Sequence, residues 1–107
     1  MNDLTPITPL ELHEKLKANG VRLIDVREPH EYARESISKS VSMPLSAWHT
    51  VDLDHGAEEI TVFMCHSGQR TTMYGSALKD KAPGKAYVLE GGISGWKRAG
   101  LGIVNAA

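Results

Sequence analysis

ITVFMCHSGQRTT, residues Ile60–Thr72, changes character at a single position. Ile60–Met64 is apolar or β-branched throughout, the composition of a buried strand. Cys65 follows, the only cysteine in the chain, and then the small and polar run His66-Ser67-Gly68-Gln69-Arg70. Gly68 allows the backbone to fold into a tight loop. From Arg70 to Lys81 the spacing predicts a helix, with Met73, Ala77 and Leu78 toward the core. Gly75 inside it costs about 1 kcal/mol against alanine, which suggests close approach to a strand. A strand, a tight loop and a helix in this order put the thiol at a strand end. The unpaired N–H groups of the helix start then point back toward it.

The same alternation continues in both directions. Thr8-Pro9-Leu10-Glu11 is a helix start, with Thr8 as N-cap, Pro9 in the first turn and Glu11 closing a capping box. Leu12 and Leu16 share one face, and Gly20 ends the helix. Val21–Val26 reads as a buried strand, polar only at Arg22 and Asp25. Pro29 initiates a short helix after Glu28. Ser40–Leu45 is a short strand stopped near Pro44. Between Ser46 and Glu59, Trp48, Val51 and Leu53 pack and Asp54-His55-Gly56 turns. Pro83-Gly84 breaks the chain before a strand over Lys85–Leu89. Gly91-Gly92 turns into a last helix, Ile93–Ala99, stopped by Gly100. Strands alternating with helices over short connections give an α/β fold with a parallel sheet covered on both faces. Ligands of such sheets bind beyond the carboxyl ends of the strands, where Cys65 lies.

The totals narrow the function. The 107 residues fit one domain, residues 1–107, and 41% hydrophobic content supplies a core without disulfides. Twelve Lys and Arg against thirteen Asp and Glu give a net charge of -1, which argues against nucleic acid as a partner. No apolar run approaches a membrane span and the N-terminus lacks a signal-peptide pattern. A lone free thiol suits a reducing compartment, so a cytoplasmic location is expected. The five histidines have no metal-ligand spacing, and no metal or other cofactor is expected.

A lone cysteine is most often a small buried hydrophobe. Three features set Cys65 apart: its place at a strand end, the glycine loop after it, and the helix start beyond. Backbone N–H groups at a helix start form an anion site, so a sulfur anion on Cys65 is expected to be favoured at neutral pH. Cys-based phosphatases use a similar cradle but separate Cys from Arg by one residue more. The shorter loop here makes a smaller cup, better fitted to a sulfur atom on the thiolate than to a phosphoryl group.

These segments together resemble the single-domain rhodanese family (thiosulfate sulfurtransferase-like proteins), with bacterial rhodanese domains especially similar. Leu23-Ile24-Asp25-Val26-Arg27 with Glu31-Tyr32 looks like its first signature, and Cys65-His66-Ser67-Gly68-Gln69-Arg70-Thr71 like its active loop. Leu89-Glu90-Gly91-Gly92-Ile93, Trp96 and Ala99-Gly100-Leu101 look like its C-terminal signature. The resemblance implies a rhodanese-like, five-stranded parallel sheet flanked by helices on both faces. It implies a sulfurtransferase in which Cys65 is the catalytic nucleophile. A small sulfur-containing anion such as thiosulfate would be the donor, and cyanide or a cellular thiol the acceptor. His66 through Thr71 would hold the persulfide. The alternatives are a non-catalytic module of the same fold and, third, a Cys-based phosphatase or arsenate reductase.

Two features depart from the family. Its frequent Gly-His-Ile step and later Gly-Ala pair are replaced by Glu35-Ser36-Ile37 and Lys39-Ser40. His66 stands where many thiosulfate-using members carry Arg or Lys. Asp25 and Arg27 read as an ion-pair brace near the site in preference to substrate contacts, with Glu31 as a partner, because charges near buried strand ends must be paired. Arg70 suits either donor binding or loop support, and Thr71 suits a helix cap in preference to a donor to Sγ. A mostly neutral His66 pulls weakly on a dianion near pH 7. Thiosulfate activity should therefore rise as the pH falls into the range where imidazole takes up a proton, while Cys65 stays ionised. A pH–rate profile left unchanged by His66→Ala would remove that role.

Overall fold

The computed structural model describes residues 4–18, 20–47, 60–68, 71, 75, 77–78 and 85–105. Five strands form a parallel sheet: β1 (Thr5–Ile7), β2 (Val21–Asp25), β4 (Val41–Ser42), β5 (Ile60–Met64) and β6 (Lys85–Leu89). Their order across the sheet is β1-β6-β5-β2-β4. β3 (Glu35–Ser36) and β7 (Val104–Asn105) make a separate antiparallel pair. Among the described residues the helices with defined bounds are α1 (Pro9–Leu16), α2 (Pro29–Arg34) and α3 (Gly92–Arg98). Thr71, Gly75, Ala77 and Leu78 are also helical. No helix among the described residues is long and apolar enough to cross a membrane.

The central strands are apolar on consecutive positions because both sheet faces are covered. Alternate residues go to different cores. Ile24, Val26, Phe63, Cys65 and Val88 join Met43 and Leu78 in one. Leu23, Val62, Met64 and Leu89 join Leu12 of α1 and Ile93 and Trp96 of α3 in the other. Each is a layer of side chains on one face of the pleat. α1 begins as its sequence dictates: Thr8 Oγ1 accepts the Glu11 amide at 3.1 Å and Glu11 Oε1 accepts the Thr8 amide at 3.0 Å.

Some boundaries differ from expectation. α1 ends at Leu16, so Gly20 does not cap it; Gly20 instead has φ +110, and its carbonyl accepts the Ile60 amide. The strand expected over Ser40–Leu45 is reduced to Val41–Ser42, although the Met43 and Leu45 amides still donate to the Asp25 and Val26 carbonyls at 2.8 and 3.1 Å. β1, β3 and β7 have no clear sequence signal. They are two or three residues long and exist because a neighbouring strand offers its edge. The readings of Trp48, Val51, Leu53, Asp54-His55-Gly56 and Pro83-Gly84 lie outside the described residues, as does Met73.

The departure at Lys39 has a physical content. Lys39 has φ +74, the left-handed region that glycine adopts freely. A side chain there costs about 1 kcal/mol. Lys39 Nζ donates to the Leu16 carbonyl at 3.1 Å and satisfies the end of α1, which offsets part of that cost.

Lys97 of α3 donates to Glu35 Oε1 of β3 at 2.6 Å. That hydrogen bond holds the Glu35 carboxyl below its ordinary 4.5, with the charges of Lys97, Arg27 and His66 adding to it. Because the folded value is the lower one, the pair contributes stability above the unfolded value. The contribution is lost as pH falls through the folded value. The pair is partly exposed, so its size is about 0.2–1 kcal/mol. Glu35→Gln should cost that amount near pH 7 and progressively less below about pH 4.5, measured by urea unfolding from pH 7 to pH 3. A cost that stays constant over this range would exclude the ion pair as its source.

Candidate active site

Three strand ends meet at Cys65. β5 pairs with β2 in the register Asp25↔Met64 and with β6 in the register Phe63↔Val88. The turn after β2, the loop after β5 and the turn after β6 therefore emerge side by side. Val26 N–H donates to the Met64 carbonyl at 2.9 Å, which carries the β2–β5 contact one step past the strands.

The sulfur lies in a small polar niche under that loop. Gly68 N–H donates to Cys65 Sγ at 3.1 Å, the one backbone donor to sulfur among the described residues. Gly68 has φ +96, and this left-handed turn swings its amide back toward the thiol. Thr71 Oγ1 lies 3.7 Å from Sγ and donates to the Gly68 carbonyl at 3.0 Å. The hydroxyl has one proton. It can stay on the carbonyl while a thiol S–H points at Oγ1, or turn to the sulfur once the thiol proton has left. Gln69 and Arg70 lie outside the described residues. His66 and Ser67 are exposed, whereas Cys65 is 1% exposed and packs with Val26, Phe63 and Leu78 in one core. Cys65 thus combines the burial of a core cysteine with a sulfur that accepts a backbone amide.

Asp25 and Arg27 pair directly. Arg27 Nη2 and Nε reach Asp25 Oδ2 at 2.7 and 3.1 Å, Nε reaches Oδ1 at 3.0 Å, and the Arg27 amide donates to Oδ1 at 2.9 Å. Arg27 Nη2 also donates to the Glu35 carbonyl at 2.6 Å. Both side chains are closed off from solvent. Glu31 Oε1 accepts the Glu28 amide at the start of α2. A cavity of about 330 Å³ lies elsewhere, between α1, residues 37–39 and Trp96, and none of residues 65–68 lines it.

The support beneath the loop was not legible as such. Gly91-Gly92 reads in sequence as a turn, but α3 begins there and holds the loop. Ile93 N–H donates to the Cys65 carbonyl at 2.9 Å and Ser94 N–H to the His66 carbonyl at 3.0 Å. Ser94 Oγ also meets His66 Nε2 at 3.3 Å. A Cβ on Gly92 would stand 2.2 Å from the Cys65 oxygen and 2.7 Å from His66 backbone atoms, and Gly92 has φ +57. The available signal was a Gly-Gly pair at the end of the strand adjacent to β5.

Gly92→Ala should therefore destabilise by about 2–5 kcal/mol, combining left-handed strain with a backbone clash. Gly100→Ala is the control. Gly100 has φ +80 but open space around it, so it should cost only about 1–2 kcal/mol. Urea unfolding of both variants decides the matter, and equal losses would show that the close approach at Gly92 carries no weight.

An uncharacterized protein of Synechocystis is 35% identical over 98 residues, covering 92% of this chain and 55% of that protein. A thiosulfate sulfurtransferase, GlpE, of Actinobacillus pleuropneumoniae serotype 7 is 29% identical over 109 residues, covering 95% of this chain and 94% of the relative. The crystal structure of a thiosulfate sulfurtransferase from Pseudomonas aeruginosa superposes with TM-score 0.85 at 24% identity. It covers 97% of this chain and 20% of that one, a likeness of fold. The chain thus spans about half of the first relative, a fifth of the Pseudomonas chain and nearly all of the second relative. Residues 8–99 match the pattern of the rhodanese-like domain, and on that match, with its five-stranded parallel sheet, the chain belongs to the rhodanese-like family.

Proposed function

We propose that this chain is a sulfurtransferase that carries a sulfane sulfur on Cys65. The observation that carries the reading is the hydrogen-bonded sulfur: a strand-end thiol that accepts the Gly68 amide at 3.1 Å beneath a loop pinned from below by α3. The thiosulfate sulfurtransferase named among its relatives supports the same chemistry.

The reaction needs no redox partner or cofactor. The Cys65 thiolate attacks the outer sulfur of thiosulfate. A bond forms between Sγ and that sulfur, the bond to the sulfonate sulfur breaks, and its electron pair leaves with sulfite. Cyanide or a thiolate then attacks the outer sulfur of the persulfide and takes it, and the electron pair of the S–S bond returns to Sγ. This is covalent catalysis in two halves. Gly68 N–H, and the Thr71 hydroxyl when turned, are the donors available to the sulfur anion at each stage. His66, Ser67, Gln69 and Arg70 complete the persulfide loop in this reading. Asp25 and Arg27 brace the strand ends beside it, with Glu31 fixing the start of α2. The burial of Cys65 favours a second reading, a binding module that keeps the fold without turnover.

One experiment separates these. The protein is incubated with thiosulfate and weighed intact. Sulfur transfer predicts a gain of one sulfur atom (about 32 Da), lost on adding cyanide with formation of thiocyanate, and absent in Cys65→Ala. No gain in the folded wild type would leave the binding module. Hydrolysis of para-nitrophenyl phosphate would point to a phosphatase instead.

A further inference from the structure

We propose that Ser94 is a positioning residue for His66, and that through His66 it sets how the site meets an anionic sulfur donor. This inference rests on the sulfur-transfer reading above.

His66 is exposed and directly follows Cys65. An exposed imidazole on a loop samples several rotamers, and holding one costs entropy. Ser94 contacts it twice. Its N–H donates to the His66 carbonyl at 3.0 Å, and its hydroxyl meets Nε2 at 3.3 Å. The two contacts fix both ends of the residue, backbone and ring, against the start of α3. A hydroxyl both donates and accepts. It can donate to a bare Nε2 or accept from Nε2–H, so the tether survives either tautomer and survives protonation. With Nε2 occupied, Nδ1 is the ring nitrogen left to face a ligand. Protonation then adds a donor and a positive charge to the residue that directly follows Cys65 without breaking the tether.

The surrounding charges make that proton count. Glu35 on β3 feels the His66 charge and is bonded to Lys97, which lies on the same helix as Ser94. Arg27 also acts on Glu35 but is paired with Asp25. Among the described residues these charges form two internally neutral pairs, Glu35 with Lys97 and Asp25 with Arg27. Among the described residues of the loop, His66 is then a group whose protonation changes the charge seen by an arriving anion. A ring that Ser94 no longer holds would deliver that charge to many positions in place of one.

The test compares wild type, Ser94→Ala, Ser94→Thr, His66→Ala and the Ser94→Ala/His66→Ala double variant. All keep the residue 94 amide. The readouts are kcat/KM for thiosulfate from about pH 5.5 to 8.5 and the imidazole nitrogen resonances of His66 by NMR. Ser94→Ala should lower kcat/KM about three- to tenfold on the acid side, the worth of one hydrogen bond, and flatten the rise toward low pH. Ser94→Thr should restore most of the loss. The deletion should have no further effect once His66 is gone. In the NMR spectrum, Ser94→Ala should change the His66 tautomer balance. A Ser94→Ala profile that superimposes on wild type would overturn the proposal, as would an equal loss in the His66→Ala background. If wild type never gains sulfur, the sulfur-transfer reading fails by itself. The NMR comparison then decides the tether, and an unchanged His66 spectrum in Ser94→Ala overturns it.

Discussion

The candidate site depends on one close approach of backbone to backbone. The loop after β5 needs its carbonyls satisfied, and α3 needs acceptors for its first N–H groups. Each solves the problem of the other, through Ile93 N–H to the Cys65 carbonyl and Ser94 N–H to the His66 carbonyl. The two segments come close enough only because Gly92 has no Cβ. A thiol placed on an unsupported loop would have no fixed donors. Here the loop is held from below, so Gly68 can turn its amide to the sulfur from above.

The sheet delivers these pieces to one place. In a parallel sheet all carboxyl ends lie on one edge, and the β2, β5 and β6 ends are adjacent by register. The same crowding concentrates charge in a buried region. Asp25 and Arg27 answer it by forming a bidentate pair with each other, supplemented by the Arg27 amide and the Glu35 carbonyl. A buried pair of this kind is weak evidence of net stability, but losing one partner strands the other charge, at roughly 3–5 kcal/mol. Arg27 also links the β2 end to β3, whose Glu35 is held by Lys97 of α3. These polar contacts run from the β2 end through β3 to α3.

Cys65 stands at the boundary between the two. Its backbone continues the β5 alternation, so its side chain points into the core that contains Phe63 and Val26. Its sulfur nevertheless touches the Gly68 amide and lies near the Thr71 hydroxyl. Burial strengthens the hydrogen bond that the sulfur accepts. His66 and Ser67, which directly follow Cys65, are exposed where Cys65 is not. This is why the proposed selectivity rests on His66 and on the serine that holds it.

Much of this was readable in the chain itself. Thr8, Pro9 and Glu11 dictate the start of α1 through local hydrogen bonds, and β5 and β6 are written in runs of β-forming residues that need no context. The loop after Cys65 announces itself by composition, because the polar and small run His66-Ser67-Gly68 is poor core material. What the chain could not reveal alone depends on residues distant in sequence. Two- and three-residue strands such as β1, β3 and β7 carry too few residues for a periodic pattern and form only against an available edge. The link between Ser94 and His66 spans 28 residues and exists because β6 lies beside β5. Local sequence thus determined which segments are strand, loop and helix and where the thiol sits. Tertiary packing decided which backbone groups face the loop, since hydrogen bonds across a sheet edge depend on strand order, which no short stretch encodes.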